Sequence, residues 1–231
     1  MTELTGKTAL VVGASRSLGL ALAREFAERG WQVVATVRGR EPEALTELAR
    51  TTGRVRVEHL DMTVPEQIGA LAARLAGTPL DLLFVNAGIT GEDRPVAEVP
   101  TEEFVEVMVT NALAPLRVVE GLGPLVVPTG TVAVMSSRQG SLTMNTRGGH
   151  EVYRASKSAL NQLMRSYAAR HHDDPRTLLL LHPGWVQTDL GGPGARLTVP
   201  ESARGVADVV EKHAGEPGLQ FLDHTDQVVP W

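Results

Sequence analysis

The chain has 231 residues, 42% of them hydrophobic, enough to bury a full core and better suited to one domain, 1–231, than to two. Its formal net charge of −5 offers no basic field to gather nucleic acid or anionic lipid. The absence of cysteine excludes disulfides, thiolate nucleophiles and cysteine-ligated metals, and suits a reducing compartment.

The first residues, Met1 to Lys7, carry no basic region ahead of an apolar run, and no apolar stretch approaches the length of a membrane span. A soluble, cytoplasmic protein is the expectation. Thr8-Ala-Leu-Val-Val12 is continuously apolar and β-branched, as a buried parallel strand requires. The small-residue turn Gly13 to Gly19 follows it, and a helix from Leu20 is closed by Gly30. Strand, glycine turn and helix together make a cradle in which backbone N–H groups at a helix N-terminus face a phosphate.

A second strand, Gln32 to Val37, ends at Arg38. A dinucleotide fold reads the adenosine ribose at this point, where an acid would bond the 2′-hydroxyl. No acid is present, and Arg38 with Arg16 offers two guanidinium forks suited to a 2′-phosphate. That selects NADP(H) over NAD. A helix is expected over 43–50, and the alternating strand from Arg54 to Leu60 delivers Asp61, either to accept from an adenine amino group or to cap the helix after Pro65. A helix over 68–75 leads to the buried strand Leu80 to Val85, which ends in Asn86-Ala87-Gly88, small enough to let a flat ligand approach the backbone.

A long helix is expected from Thr101, its N-cap, to Gly121. Pro115 removes the amide that would bond the carbonyl of Asn111, so a kink falls there. The strand from Gly130 ends in Ser136 and Ser137. Tyr153 and Lys157 then stand four apart on one face of a helix whose apolar positions include Ala159, Leu160, Leu163, Met164 and Tyr167. A nearby ammonium favours the phenolate and is expected to lower the Tyr153 pKa. A last central strand, Leu178 to Leu181, leads into His182-Pro183-Gly184, the flexible Gly191 to Ala195 loop, a helix from Pro200 to about Ala214, and a final strand and apolar tail from Leu219 to Trp231. Repeated βα alternation, with ligand-type residues at successive strand ends, gives the fold class: α/β, a three-layer doubly wound Rossmann sandwich around a parallel sheet of about seven strands. His150, His171, His172 and His182 lack metal-ligand spacing, and no metal is expected.

Gly13-x-x-x-Ser17-x-Gly19, Asn86-Ala-Gly88, Asn111, Ser137, Tyr153-x-x-x-Lys157 and Pro183-Gly184, in this order over nearly the whole chain, resemble the short-chain dehydrogenase/reductase family. Tyr153-Arg-Ala-Ser-Lys157, Pro183-Gly-Trp-Val-Gln-Thr-Asp189 and the ending from Phe221 to Trp231 are similar to the subgroup related to the C-factor signalling protein. The resemblance implies that Tyr153 is the acid/base, that Lys157 bonds the nicotinamide ribose and lowers the Tyr153 pKa, that Ser137 orients a carbonyl, and that Asn111 holds a relay water. It places NADP(H) against Gly13, Ser15, Arg16, Ser17, Leu18, Gly19, Arg38, Asp61, Met62, Asn86, Ala87, Gly88, Tyr153, Lys157, Pro183, Gly184, Val186 and Thr188.

The implied activity is NADPH-dependent reduction of a ketone or aldehyde, or oxidation of the alcohol. A cofactor-bound regulatory protein with little turnover is one alternative, disfavoured by the complete catalytic set; an epimerase or dehydratase is the other. A homodimer or homotetramer is implied. Three features depart from the pattern: Ser17 stands where a glycine is usual, fifteen residues separate Ser137 from Tyr153, and Leu190 to Pro200 is short. The polar run from Thr146 to Glu151 is expected to line the substrate mouth, and the short segment to leave the cleft open.

Overall fold

A computed structural model describes residues 6–231; Met1 to Thr5, most of the stretch read for a targeting signal, lie outside the described residues. In chain order the elements are β1 Thr8–Val12, α1 Ser17–Glu28, β2 Gln32–Val37, α2 Glu43–Thr52, β3 Val55–His59, α3 Pro65–Arg74, β4 Leu80–Val85, α4 Thr101–Met108, α5 Ala114–Leu122, β5 Val126–Met135, α6 Glu151–Arg170, β6 Thr177–His182, α7 Val199–Lys212 and β7 Gly218–Asp223. All seven strands pair in parallel, in the order β3-β2-β1-β4-β5-β6-β7.

The central strands are apolar on both faces because both are covered, while the edge strand β3 alternates with charged residues. Leu10 and Val12 of β1 point into a core shared with Ile68 and Leu71 of α3, Val118 of α5 and Leu160 and Met164 of α6. Ala9 and Val11 point the other way, against Leu22 and Phe26 of α1, Leu45 of α2 and Val206 of α7. The chain reverses its direction of progress across the sheet between β1 and β4, and this switch opens a crevice at the carboxyl ends of the strands.

Several boundaries differ from those expected. The first helix starts at Ser17 rather than Leu20, while Gly30, at φ +91°, closes it by donating its N–H to the Ala27 carbonyl. Strand β5 starts four residues before Gly130, and a register shift between Leu80 and Leu82 absorbs the excess. Pro100, not Thr101, is the N-cap of α4; Thr101 is already helical. Helix α7 starts at Val199 rather than Pro200, and Thr198 caps it reciprocally with Glu201 in a capping box.

The long helix around Asn111 is interrupted by a π turn, Val109–Leu113, in which the Ala114 N–H bonds the Val109 carbonyl five residues back. A wider turn accommodates the missing N–H of Pro115 without ending the helix, and it puts Asn111 at the centre of the bulge. The Gly191 to Ala195 loop is tied rather than slack. Val186 bridges to Leu197, the Trp185 indole N–H donates to the Gly191 carbonyl at 2.8 Å, and the Gly191 N–H donates to Thr188 Oγ1 at 3.0 Å.

Helix α6 rests on the short 3-10 turn Arg138–Gly140. A methyl group on Gly140 would lie 2.8 Å from the carbonyl carbon of Lys157 and 2.9 Å from its Cβ. Gly140→Ala is therefore expected to push α6 off the sheet and lower stability by about 1–3 kcal/mol, read by urea denaturation. An unchanged midpoint would show that α6 tolerates the displacement.

Candidate active site

The carboxyl ends of the strands deliver the site one loop at a time. After β1, Gly13 takes φ +87°, and its N–H donates to Thr36 Oγ1 at 3.1 Å; a Cβ there would lie 2.6 Å from that of Ala87. A Cβ on Gly19 would sit 2.0 Å from the Gly13 carbonyl oxygen. Only glycine lets the turn, α1 and the end of β4 meet. Ser17 adopts the left-handed φ of +46°, which costs a residue with a side chain about 1–2 kcal/mol; the position keeps a glycine-like backbone without its glycine. Arg16, at the N-cap of α1, makes no side-chain cap bond, and the first turn holds no acidic residue. The N–H groups of that turn are thus free of carboxylate competition. Leu18 is buried in the core beside α1, and Ser15 is half-buried.

Beyond the ends of β2 and β3, Arg38 and Thr63 face Thr101, Glu102, Val109 and Thr110 across a cleft of about 520 Å³. Asp61 does not cap α3, whose N-cap is Val64. Its Oδ1 instead accepts from the Thr63 hydroxyl at 2.6 Å and the Thr63 N–H at 3.0 Å. Those bonds, with the charge of Arg38 nearby, hold its carboxyl below the usual range. Met62 is buried beside it. The Arg16 guanidinium lies 3.8 Å from Asp189, with both side chains largely exposed. A pair so exposed leaves the Arg16 fork able to turn toward a ligand. Asp189 belongs to the loop after β6, where Val186 is buried, Thr188 holds Gly191, and Gly184 takes φ +85° between Leu197 and His224.

After β4, Asn86 anchors the glycine turn by donating from Nδ2 to the Gly13 carbonyl at 3.1 Å. A Cβ on Gly88 would lie 3.2 Å from Asn111 Oδ1 and 3.5 Å from Lys157 Nζ, so the three converge. Asn111 is wholly buried and its amide is committed. Oδ1 accepts from the Ile89 N–H at 2.8 Å, while Nδ2 donates to the Ile89 carbonyl at 2.7 Å and to Ser156 Oγ at 3.0 Å. Ser156 in turn donates to the Tyr153 carbonyl at 2.8 Å. Neither Ile89 nor Ser156 was flagged by the sequence, because bonds to a backbone leave no motif.

Lys157 is only 3% exposed, and its ammonium donates to the Met135 carbonyl at 3.0 Å. Burial pulls its pKa down to about 8. The ammonium lies 5.8 Å from the centre of the Tyr153 ring. Burial pushes the Tyr153 phenol up to about 12, with a hydrogen bond to Ser137 working against it. The expected lowering is thus reversed in the protein itself. Desolvation outweighs an ammonium that is desolvated too and bonded to a carbonyl. Ser137, two residues beyond the end of β5, caps the turn Arg138–Gly140 by accepting the Gln139 N–H at 3.1 Å, and its hydroxyl bonds the phenol.

A glycine-turned helix N-terminus at the switch of a parallel sheet, with a phenol, a hydroxyl and an ammonium beside it, defines a Rossmann-type oxidoreductase class. A family model described as short chain dehydrogenase matches residues 7–195. C-signal from Myxococcus xanthus is 39% identical over 164 residues, 70% of this chain and 99% of that protein. A short-chain dehydrogenase/reductase structure from Burkholderia multivorans with bound NADP has 53% identity and a TM-score of 0.95 over 98% of this chain and 100% of that one. A carbonyl reductase from Pseudomonas aeruginosa PAO1 in complex with NADP has 40% identity and a TM-score of 0.92 over 98% and 100%. The chain belongs to the short-chain dehydrogenase/reductase family and is an oxidoreductase of its C-factor-like branch.

Proposed function

We propose that the protein is an NADPH-dependent reductase of ketones or aldehydes, a single domain that donates a proton from Tyr153. The observation that carries this reading is the convergence of Tyr153, Ser137 and Lys157 beside Gly88 and Asn111. The cofactor is NADP(H), as in the Burkholderia and Pseudomonas structures. The residues fit it: the uncapped, acid-free N-terminus of α1 suits a diphosphate. Gly13, Ser15, Ser17, Leu18 and Gly19 would hold that diphosphate, and Arg16 and Arg38 the 2′-phosphate, with Asp61 and Met62 at the adenine. Asn86, Ala87, Gly88, Pro183, Gly184, Val186 and Thr188 would border the nicotinamide half. When bound, the cofactor supplies the hydride.

The chain's own groups then orient the carbonyl and move one proton. Ser137 and Tyr153 donate to the substrate oxygen, and these bonds strengthen as it gains negative charge. Tyr153, neutral until about 12, passes its proton to that oxygen. Lys157 keeps a positive charge close by and would bond the nicotinamide ribose. Because the Asn111 amide is occupied by Ile89 and Ser156, its main-chain carbonyl is the group left to hold a relay water. Among the described residues no helix is long and apolar enough to cross a membrane, which suits a soluble cytoplasmic enzyme. Exposed Phe104 and Val105 on α4 and Leu163 on α6 suit assembly as a homodimer or homotetramer. The similarity to C-signal keeps a signalling role as the second reading, and consumption of NADPH with a carbonyl substrate separates the two.

Tyr153→Phe is expected to lower kcat by about 10²–10⁴-fold with NADPH binding intact by fluorescence titration; substantial residual turnover would mean another acid. The wild-type reductive kcat/KM should be flat at neutral pH and fall as Lys157 loses its proton, above a pH of about 8. A profile flat through pH 10 would remove Lys157 from the reaction. Arg38→Asp should weaken NADPH at least about tenfold, as loss of a charge-assisted bond to a phosphate does, and leave NADH nearly unaffected. Equal effects on both in steady-state kinetics would discard the 2′-phosphate assignment.

A further inference from the structure

The catalytic helix α6 opens in an unusual way. Gly148, Gly149 and His150 take φ of +67°, +73° and +48°, so His150, the N-cap, is a non-glycine residue in the left-handed region. Its side chain makes no cap bond to the helix. Strain of this kind persists only where the surroundings impose it. Here they come from the loop after β4. The His150 N–H donates to Asp93 Oδ1 at 2.6 Å, and the imidazole Nε2 lies 3.5 Å from Asp93 Oδ2. One residue further on, Glu151 Oε2 accepts the Val96 N–H at 2.9 Å. Two carboxylates thus sit at the positive end of α6, one reaching in from the loop and one reaching out to it.

The loop they join is itself anchored. Glu103 of α4 accepts the Glu92 N–H at 3.0 Å and pairs with Arg94. At its inner end the loop is gripped by Asn111 through Ile89, and Ser156 carries that grip to the Tyr153 carbonyl. Tyr153, the third residue of α6, is therefore bracketed: Asn111 and Ser156 on its C-terminal side, Asp93 and Glu151 on its N-terminal side.

We infer that Asp93 is a positioning residue for proton transfer: by holding the His150 N–H it fixes the start of α6 and hence the place of the Tyr153 hydroxyl. Glu151 reinforces it through Val96. The inference rests on Tyr153 as the proton donor. Asp93 is half exposed, so its replacement removes a tether and leaves no hole in the core.

The test is steady-state reduction of a carbonyl substrate by NADPH with the full chain carrying Asp93→Ala, Asp93→Asn or Glu151→Ala, with Tyr153→Phe as reference. Asp93→Ala is expected to lower kcat about tenfold, short of the roughly hundredfold that a 1 Å misplacement can cost. KM and the NADPH dissociation constant should stay within about twofold, since the effect lies on positioning for chemistry. Asp93→Asn keeps an oxygen for the His150 N–H and should restore most of kcat, and Glu151→Ala should lose less than Asp93→Ala. Wild-type kcat in Asp93→Ala, or equal losses in Asp93→Ala and Asp93→Asn, would overturn the inference while an inactive Tyr153→Phe left the proposed reaction standing. An active Tyr153→Phe would instead overturn the reaction itself.

Discussion

The structure turns on an ammonium taken out of water. Lys157 is almost fully buried and gives one hydrogen bond to the Met135 carbonyl among the described residues; removing such a charge from solvent costs several kcal/mol unless polar groups replace the water. The surroundings are shaped to bring those groups close. Gly140 lets α6 lie directly against the turn that follows β5, and Gly88 lets the turn after β4 come within reach of the same nitrogen. A lysine has three donors, so two remain for groups in the cleft. The cation is held ready by the fold rather than recruited by a partner carboxylate.

The same economy governs Asn111. A buried amide with both ends satisfied is a strut, and this one ties the loop after β4 to α6 through Ile89 and Ser156. The π turn is what makes the strut possible, because the wider turn changes the direction in which residue 111 presents its side chain relative to a continuous α-helix. Pro115 is the local cause, and the position of Tyr153 is among its consequences.

That cause could be read from the sequence, while its form could not. A proline inside an apolar helical run signals an interruption, but whether the chain kinks, ends or widens depends on what packs against it. The strands were legible for the opposite reason: runs such as Ala9 to Val12 and Leu82 to Val85 are apolar at successive positions, a pattern that burial on both faces requires. Tyr153, Lys157 and Ser137 could be singled out from their order, and the fold brings the three together. The direction of the Tyr153 pKa was not legible, because spacing gives the distance to a charge and says nothing of desolvation. Arg16 was read with Arg38 as one phosphate clamp, and its exposed pairing with Asp189, from the loop after β6, left no mark in the sequence. Asp93 and His150 lie 57 residues apart, and in the sequence His150 stood out as a histidine to be weighed as a metal ligand and as part of a polar run at the substrate mouth, not as the start of a tethered helix.

The two displaced pKa values bear on which group holds a proton at rest. A buried phenol near 12 and a buried ammonium near 8 leave Tyr153 protonated and Lys157 mostly charged at neutral pH. This is the pair of states that a carbonyl oxygen needs as it receives negative charge: a donor that still has its proton, and a cation at hand to stabilise the phenolate left behind. The reverse reaction would start from the phenolate, which burial opposes and a nearby ammonium favours. Because a catalyst accelerates a reaction both ways, the desolvation that reverses the simple expectation for Tyr153 sets the protonation state from which the proposed cycle starts, while the equilibrium of substrate and cofactor sets its direction.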